Sequence, residues 1–216
     1  MSDSPTLVTA QHFQYLMERT RGDDPSLKEL KQAAKAAGIP SIWVNPAQAS
    51  FMQILLKLSG AMEVVDVGTL AGYSAITMAR ALPKGGRVCT LELVKKHADF
   101  ARAWIEKSDV ADKIELFEGN AREILPTFET NSADACFLDA DKSGYEFYLK
   151  ECLRIVGKGG LFMVDNAFAF GELFADKPTD PETPAVRRFN EIMAKEHRIH
   201  SVIVPLGDGC WVGIKE

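Results

Sequence analysis

Residues 63–92 read E-V-V-D-V-G-T-L-A-G-Y-S-A-I-T-M-A-R-A-L-P-K-G-G-R-V-C-T-L-E. Val64, Val65 and Val67 are the β-branched run of a short buried strand. Gly68 and Gly72 bracket a turn, after which Ala75, Ile76, Ala79 and Leu82 fall at helical spacing. Pro83 and the Gly85–Gly86 pair stop that helix. A second strand covers Arg87 to Leu91 and ends on Glu92. Strand, glycine turn, helix, turn and strand make half of a doubly wound nucleotide-binding sheet. Its ligand lies across the carboxyl ends of the strands.

The residues at the turn narrow the choice of ligand. A dinucleotide fold shows G-x-G-x-x-G, because the pyrophosphate must come close to the backbone. Here the spacing is D-x-G-x-x-x-G, from Asp66 through Gly68 to Gly72, and the second close glycine is missing. A carboxylate at position 66 repels phosphate and suits an ammonium group. Ser74 can donate to a carboxylate, and Glu92 can accept from both hydroxyls of a ribose. Ammonium, carboxylate and ribose together describe S-adenosylmethionine.

The chain of 216 residues predicts one domain with a sizeable core. With 46% hydrophobic and 25% charged residues it has the composition of a soluble globular protein. A formal net charge of −5 gives no global attraction to nucleic acid or to an anionic membrane. The stretch Met1 to Gln14 is polar and mixed, unlike a signal peptide, and no apolar run reaches membrane-spanning length. The four cysteines contain no C-x-x-C, and Cys89 and Cys136 fall inside strands, so buried free thiols are expected. These features predict a cytoplasmic protein.

Ahead of the sheet, residues 1–60 read as a helical appendage and 61–216 as the core. Residues 9–19 carry Phe13, Leu16 and Met17 on one helical face. Asp24-Pro25 is an N-cap followed by proline in the first turn, and Gly38 ends that helix. A third helix over Gln48 to Leu58 is expected to turn Phe51, Ile54, Leu55 and Leu58 inward. The appendage either covers one sheet face or closes over the cofactor and supplies a substrate wall. Downstream, helix and strand alternate: helix Val94 to Ser108, strand Lys113 to Phe117, a short helix, and strand Ala133 to Leu138. Helix Tyr145 to Val156 follows, then a glycine turn at 157–160 and strand Leu161 to Val164. After a loop from Ala167 to Thr183 comes helix Pro184 to His197. Strands Ile199 to Val204 and Cys210 to Ile214 are joined by the hairpin signal L-G-D-G. The pattern gives an α/β sandwich of seven strands, mostly parallel, with helices on both faces.

Polar groups gather where strands end. Asp139 follows the fourth strand, and Asp165-Asn166 follow the fifth. If those strands are neighbours, two carboxylates and an amide oxygen meet. These are hard donors that suit Mg²⁺, Ca²⁺ or Mn²⁺ better than zinc. Three protein oxygens leave three positions of an octahedral ion, enough for a vicinal diol and a water. Lys142 stands beside them as a candidate general base, since a neighbouring cation disfavours its ammonium form. Asp at a strand end is also an ordinary turn former, and a lone lysine is usually a solvated one. It is the combination that points to chemistry.

With these residues in view, the sequence resembles the cation-dependent class I O-methyltransferases, which include catechol and caffeoyl-CoA O-methyltransferases and their bacterial relatives. The resemblance runs from about Val44 to the end. It is carried by V-D-V-G-T-L-A-G-Y-S-A, L-D-A-D-K, V-D-N and P-L-G-D-G in that order. It implies a Rossmann-like sheet in the order 3-2-1-4-5-7-6, with Asp139, Asp165 and Asn166 as metal ligands and Lys142 as base. It also implies that Asp66, Gly68, Ser74 and Glu92 hold the methionine and ribose of S-adenosylmethionine. The Val44 backbone would touch the methionine part, Ala121 the adenine, and Asp139 both metal and cofactor. It implies a homodimer acting on an aromatic diol. Three departures fall near the substrate: Asp66 where Glu is more frequent, Ala169 where a tryptophan is frequent, and N-P-A-Q-A-S-F where many relatives carry a glycine–glutamine pair.

Two other readings are open to the same pattern. One is a methyltransferase of this fold acting on a hydroxylated uridine in tRNA, with Arg187, Arg188, Lys195, His197, Arg198 and His200 as the basic footprint. The other is a nicotinamide oxidoreductase or a non-catalytic nucleotide binder. Trp43, Phe168, Phe170 and Trp211 are the aromatic side chains placed to line an acceptor site or to fill the core.

Overall fold

The computed structural model describes residues 8–216; the stretch Met1 to Leu7, part of the segment read above as unlike a signal peptide, lies outside the described residues. Three helices lead into the sheet: α1 (Ala10–Arg19), α2 (Pro25–Ala36) and α3 (Pro46–Ser59). Asp24 caps α2 by accepting from the Leu27 N–H at 2.9 Å, and Asn45 caps α3 by accepting from the Gln48 N–H at 2.9 Å. Both caps are followed by proline in the first turn, where its missing N–H costs nothing. The Asn45 cap starts α3 two residues before the expected Gln48, and this fixes the direction in which Gln48 points.

The sheet has seven strands in the order β3-β2-β1-β4-β5-β7-β6. They are β1 (Glu63–Val67), β2 (Arg87–Glu92), β3 (Ile114–Glu118), β4 (Ala133–Leu138), β5 (Val156–Val164), β6 (Ile199–Val204) and β7 (Cys210–Lys215). The first five are parallel, and β7 pairs antiparallel with both β5 and β6. Helices α4 (Tyr73–Ala79), α5 (Lys95–Lys107), α6 (Ala121–Ile124), α7 (Tyr145–Ile155) and α8 (Thr183–Met193) complete the layers. Strand alternation sorts the core into two faces. Val64, Val88, Phe137 and Met163 pack with α2, α3, α4 and α5, while Val65, Leu91, Leu138 and Val164 pack with α6, α7 and α8. The four cysteines are buried free thiols. Among the described residues, no helix is long and apolar enough to cross a membrane.

Two expectations are corrected. On α3 the buried side chains are Ala47, Gln48, Ala49, Met52 and Leu56, whereas Ile54 and Leu58 are exposed and Phe51 and Leu55 half-buried. The helix carries apolar residues on most of its circumference, so its period does not set its phase. Gly157, Gly159 and Gly160 do not form a separate turn: β5 begins at Val156 and runs through them, with a register shift opposite Ala133 and Ala135. A side chain at Gly160 would overlap Val156, which is why the irregularity is built from glycine.

The chain changes direction across the sheet between β1 and β4, and the two strand ends meet closely. The Asp139 N–H donates to Val67 O at 2.9 Å. Gly68 lies at φ +111, and a Cβ there would overlap the Asp139 carbonyl. Gly68→Ala is therefore expected to cost at least about 2 kcal/mol in urea unfolding. Gly85→Ala, at φ +83 but with its nearest neighbour 3.9 Å away, should cost about 1 kcal/mol. Equal losses would contradict a special role for the β1–β4 contact.

Candidate active site

A cleft of about 750 Å³ opens at the carboxyl ends of β1, β2 and β4. Its lining includes Val44, Gly68, Ser74, Glu92, Ala121, Asp139, Lys142 and Asn166, so eight of the ten sequence-predicted cofactor, metal and catalytic residues face one cavity. The volume suits a nucleoside-sized ligand. Glu92 is held by the backbone: Oε2 accepts from the Leu70 N–H at 2.7 Å and Oε1 from the Val94 N–H at 2.8 Å. Each oxygen keeps a lone pair for a hydroxyl in the cleft. His97, whose Nδ1 is 3.6 Å from Glu92 Oε1, shares the wall.

Asp66 is not on the cleft wall. Alternation along β1 turns it toward α4, where it is fully buried, and its register partner Thr90 lies on the same face. Thr90 Oγ1 donates to Asp66 Oδ2 at 2.8 Å and Ser74 Oγ at 3.1 Å, while Oδ1 has no partner. Ser74 is thus the group that faces the cleft, and Asp66 stands one layer behind it. Burial is the main force on its carboxyl, pushing it up to about 7 against the two hydroxyl donors.

The three oxygen donors follow the adjacent ends of β4 and β5. Leu138 pairs with Val164 across β4 and β5, so Asp139 and Asp165 leave adjacent strand ends side by side. Asp139 and Asn166 line the first cleft; Asp165 and Asn166 line a second cavity of about 440 Å³. The set therefore stands at the junction of the two spaces. Gln48 Nε2 donates to Asp165 Oδ1 at 2.8 Å, and Asn166 Nδ2 donates to Asp208 Oδ2 at 3.3 Å. Burial and then repulsion from Asp139 push the Asp165 carboxyl up to about 7. Asp139 is also raised, by burial, with Lys142 opposing.

Lys142 is buried beside them. Its Nζ donates to Asp139 Oδ1 at 3.0 Å and to Tyr145 Oη at 2.8 Å, and it lies 6.0 Å from the Phe170 ring centre. Its backbone N–H donates to Glu182 Oε1 at 2.9 Å, which ties the segment before α8 to the site. Burial, and then the charge of Asp139, raise the Tyr145 phenol well above its ordinary range, so it stays protonated. Among the described residues no three His, Cys, Asp or Glu side chains form a metal-holding group; the candidate set has two carboxylates and one amide. That set fits a divalent cation on chemical grounds, because two buried carboxylates in mutual repulsion lack a compensating charge beyond one lysine.

Of the four aromatics, Trp43 lines both spaces and Phe170 the first cleft. Trp211 belongs to the core and donates its indole N–H to Asn190 Oδ1 at 2.7 Å, and Phe168 packs over Gly209. Gln48, Glu182, His97 and Tyr145 join the site without a motif to mark them in the sequence, while Asp208 stands in the P-L-G-D-G motif, where the sequence reading gave it only a hairpin role. Of the unmarked four, only Gln48 carries a local sign, three residues after a capping Asn45.

The buried Asp66 generates a pH prediction. A carboxyl raised from 3.8 to about 7 in the fold leaves the native state holding the extra proton between those values. Its contribution to stability is greatest at low pH and is lost as pH rises from the unfolded value to the folded one, at about 1.4 kcal/mol for each pH unit between them. Asp66→Asn mimics the protonated acid, so denaturant midpoints should fall less between pH 5 and 8 than in the wild-type chain. Identical pH profiles would contradict this.

Comparison with known proteins agrees with the geometry. The family model described as O-methyltransferase matches residues 17–216. The chain is 35% identical to catechol O-methyltransferase of Niastella koreensis, over 94% of this chain and 90% of that one. It is 30% identical to caffeoyl-CoA O-methyltransferase of Populus kitakamiensis, over 91% and 89% respectively. An O-methyltransferase from Bacillus cereus, solved in complex with SAH (S-adenosylhomocysteine), superposes with a TM-score of 0.85 at 34% identity, covering 94% of this chain and 96% of that one. A Rossmann-like sheet with its cleft at the switch point, the four motifs in order, and these likenesses place the chain in the O-methyltransferase family as an S-adenosylmethionine-dependent enzyme.

Proposed function

We propose that the protein transfers the methyl group of S-adenosylmethionine to one hydroxyl of a vicinal, catechol-like diol, with a divalent cation such as Mg²⁺ held by Asp139, Asp165 and Asn166. The observation that carries this reading is the meeting of those three oxygen donors with Lys142 at the junction of the two cavities. The first cleft takes the cofactor, with Glu92 on the ribose, Ser74 backed by Asp66 on the amino-acid part, and Ala121 at the adenine. The second cavity takes the acceptor. Phe13, Leu16, Met17 and Trp43 give it an apolar wall, and among the described residues no Lys or Arg lines it. That wall suits a small uncharged aromatic better than a coenzyme A thioester, whose phosphates want cationic partners.

The cation, when bound, supplies Lewis acidity that makes a diol hydroxyl more acidic. Lys142 Nζ takes the hydroxyl proton; Asp139 and the protonated Tyr145 orient the amine. The freed oxygen attacks the methyl carbon in line as the carbon–sulfur bond breaks, leaving S-adenosylhomocysteine. Positioning by the two cavity walls is the protein's main contribution and is worth roughly 7–11 kcal/mol in favourable cases.

Four of the six basic residues considered for RNA are paired elsewhere: Arg188 with Glu146, Lys195 with Glu191 and Arg198 with Glu196, while Arg187 donates to backbone carbonyls of the loop before α8. This pairing favours the small-molecule reading. A homodimer belongs to the same proposal, supported by the exposed Ile54 and Leu58 one turn apart on α3.

Methyl transfer to catechol, to caffeoyl-CoA and to tRNA, with and without Mg²⁺, tests the reading. Catechol should be the acceptor, and a chelator should abolish turnover. Lys142→Ala should retain S-adenosylhomocysteine binding by calorimetry and lose about 10²- to 10⁴-fold in kcat. Full activity in chelator would exclude the cation, and an active Lys142→Ala would exclude the lysine as base.

A further inference from the structure

We infer that the β6–β7 turn, acting through Asp208, is the positioning element of the cation site and selects which atom Asn166 offers to the ion. The inference rests on the reading above that Asp139, Asp165 and Asn166 bind a divalent cation. Asn166 has two chemically different ends, and only the amide oxygen is a useful ligand. Asp208 Oδ2 accepts from Asn166 Nδ2 at 3.3 Å, which assigns the nitrogen to the turn and leaves Oδ1 for the junction. The same Oδ2 accepts from the Phe170 N–H at 2.7 Å. Two backbone bonds complete the strap: Ala167 N–H to Gly209 O at 2.9 Å and Phe168 N–H to Asp208 O at 2.8 Å.

The strap is needed because the segment it holds is conformationally costly. Asn166, Ala169 and Phe170 all have left-handed φ, at 66°, 53° and 59°. Side chains rarely adopt this region unless surrounding contacts fix them there. The turn reaches the other ligand too. Gly207 lies at φ +62, and a side chain there would overlap Gln48 Oε1, so the turn backbone sits directly against the amide whose Nε2 holds Asp165. Gly209, at φ +76, faces the Phe168 ring at 2.9 Å from the place a Cβ would occupy. One four-residue turn, L-G-D-G, therefore contacts the donors or neighbours of two of the three ligands while supplying none itself. Orienting groups behind metal ligands commonly change metal affinity by 10- to 100-fold.

The test uses Mn²⁺ alone as the probe, with free ion read by electron paramagnetic resonance on the full chain. Asp208→Ala is expected to weaken Mn²⁺ binding about tenfold or more. S-adenosylhomocysteine affinity, measured in chelator, should change less than about twofold, which a general loss of structure would not permit. In an Asn166→Ala background, Asp208→Ala should weaken Mn²⁺ much less, because the residue acts through Asn166. Asp208→Asn serves if the alanine variant does not fold, and is expected to weaken Mn²⁺ in the same direction. Wild-type Mn²⁺ affinity in the folded Asp208 variants would overturn the inference and leave the metal reading standing. A wild-type chain that binds no Mn²⁺ would overturn both.

Discussion

Two carboxylates that repel each other are placed side by side by the pairing of β4 with β5. Leu138 is in register with Val164, so the next residues on each strand, Asp139 and Asp165, cannot avoid meeting. Both are buried enough for their carboxyls to be raised, and Asp165 is penalised further by the charge of Asp139. A fold tolerates such a pair only where something compensates it. Lys142 compensates part of it from three residues along the chain, and Gln48 holds one oxygen of Asp165 from the far side. The remainder of the site follows from this juxtaposition, including the proposed ion.

The sheet topology explains why a cleft of nucleoside size opens at the same place. β1 lies between β2 and β4, and the chain turns away from β1 in opposite directions on the two sides. That leaves a crevice above the strand ends, bounded by the 68–72 turn, Glu92 and Asp139. Asp139 is shared by the crevice and the oxygen cluster, so a methyl donor and an acceptor can be brought together without moving a domain. The close approach at Gly68 keeps that distance short.

Features that depend on local pattern are readable from the sequence. Strand ends, the D-x-G-x-x-x-G turn, the Asp24-Pro25 cap and the L-G-D-G hairpin are set by neighbours in the chain, and all appear in the structure. What is not readable depends on distant contacts. Gln48 acquires its role from Asp165, 117 residues away, and Asp208 from Asn166, 42 residues away. Neither separation leaves a trace in spacing. Apolar periodicity gives the wrong phase for α3 because Phe51, Met52, Ile54, Leu55, Leu56 and Leu58 surround the helix axis, so burial is decided by where the sheet lies. A position at a strand end suggests that Asp66 touches the cofactor, but alternation along β1 turns it beneath Ser74.

The central claim is that the oxygen donors and the lysine form one reaction centre. The direct measurement is anomalous diffraction from crystals soaked with Mn²⁺, S-adenosylhomocysteine and a catechol. One Mn²⁺ peak is expected among Asp139, Asp165 and Asn166, with both catechol oxygens on the ion and Lys142 Nζ within hydrogen-bond reach of one of them. A peak elsewhere, or a catechol seated away from Lys142, would contradict the claim.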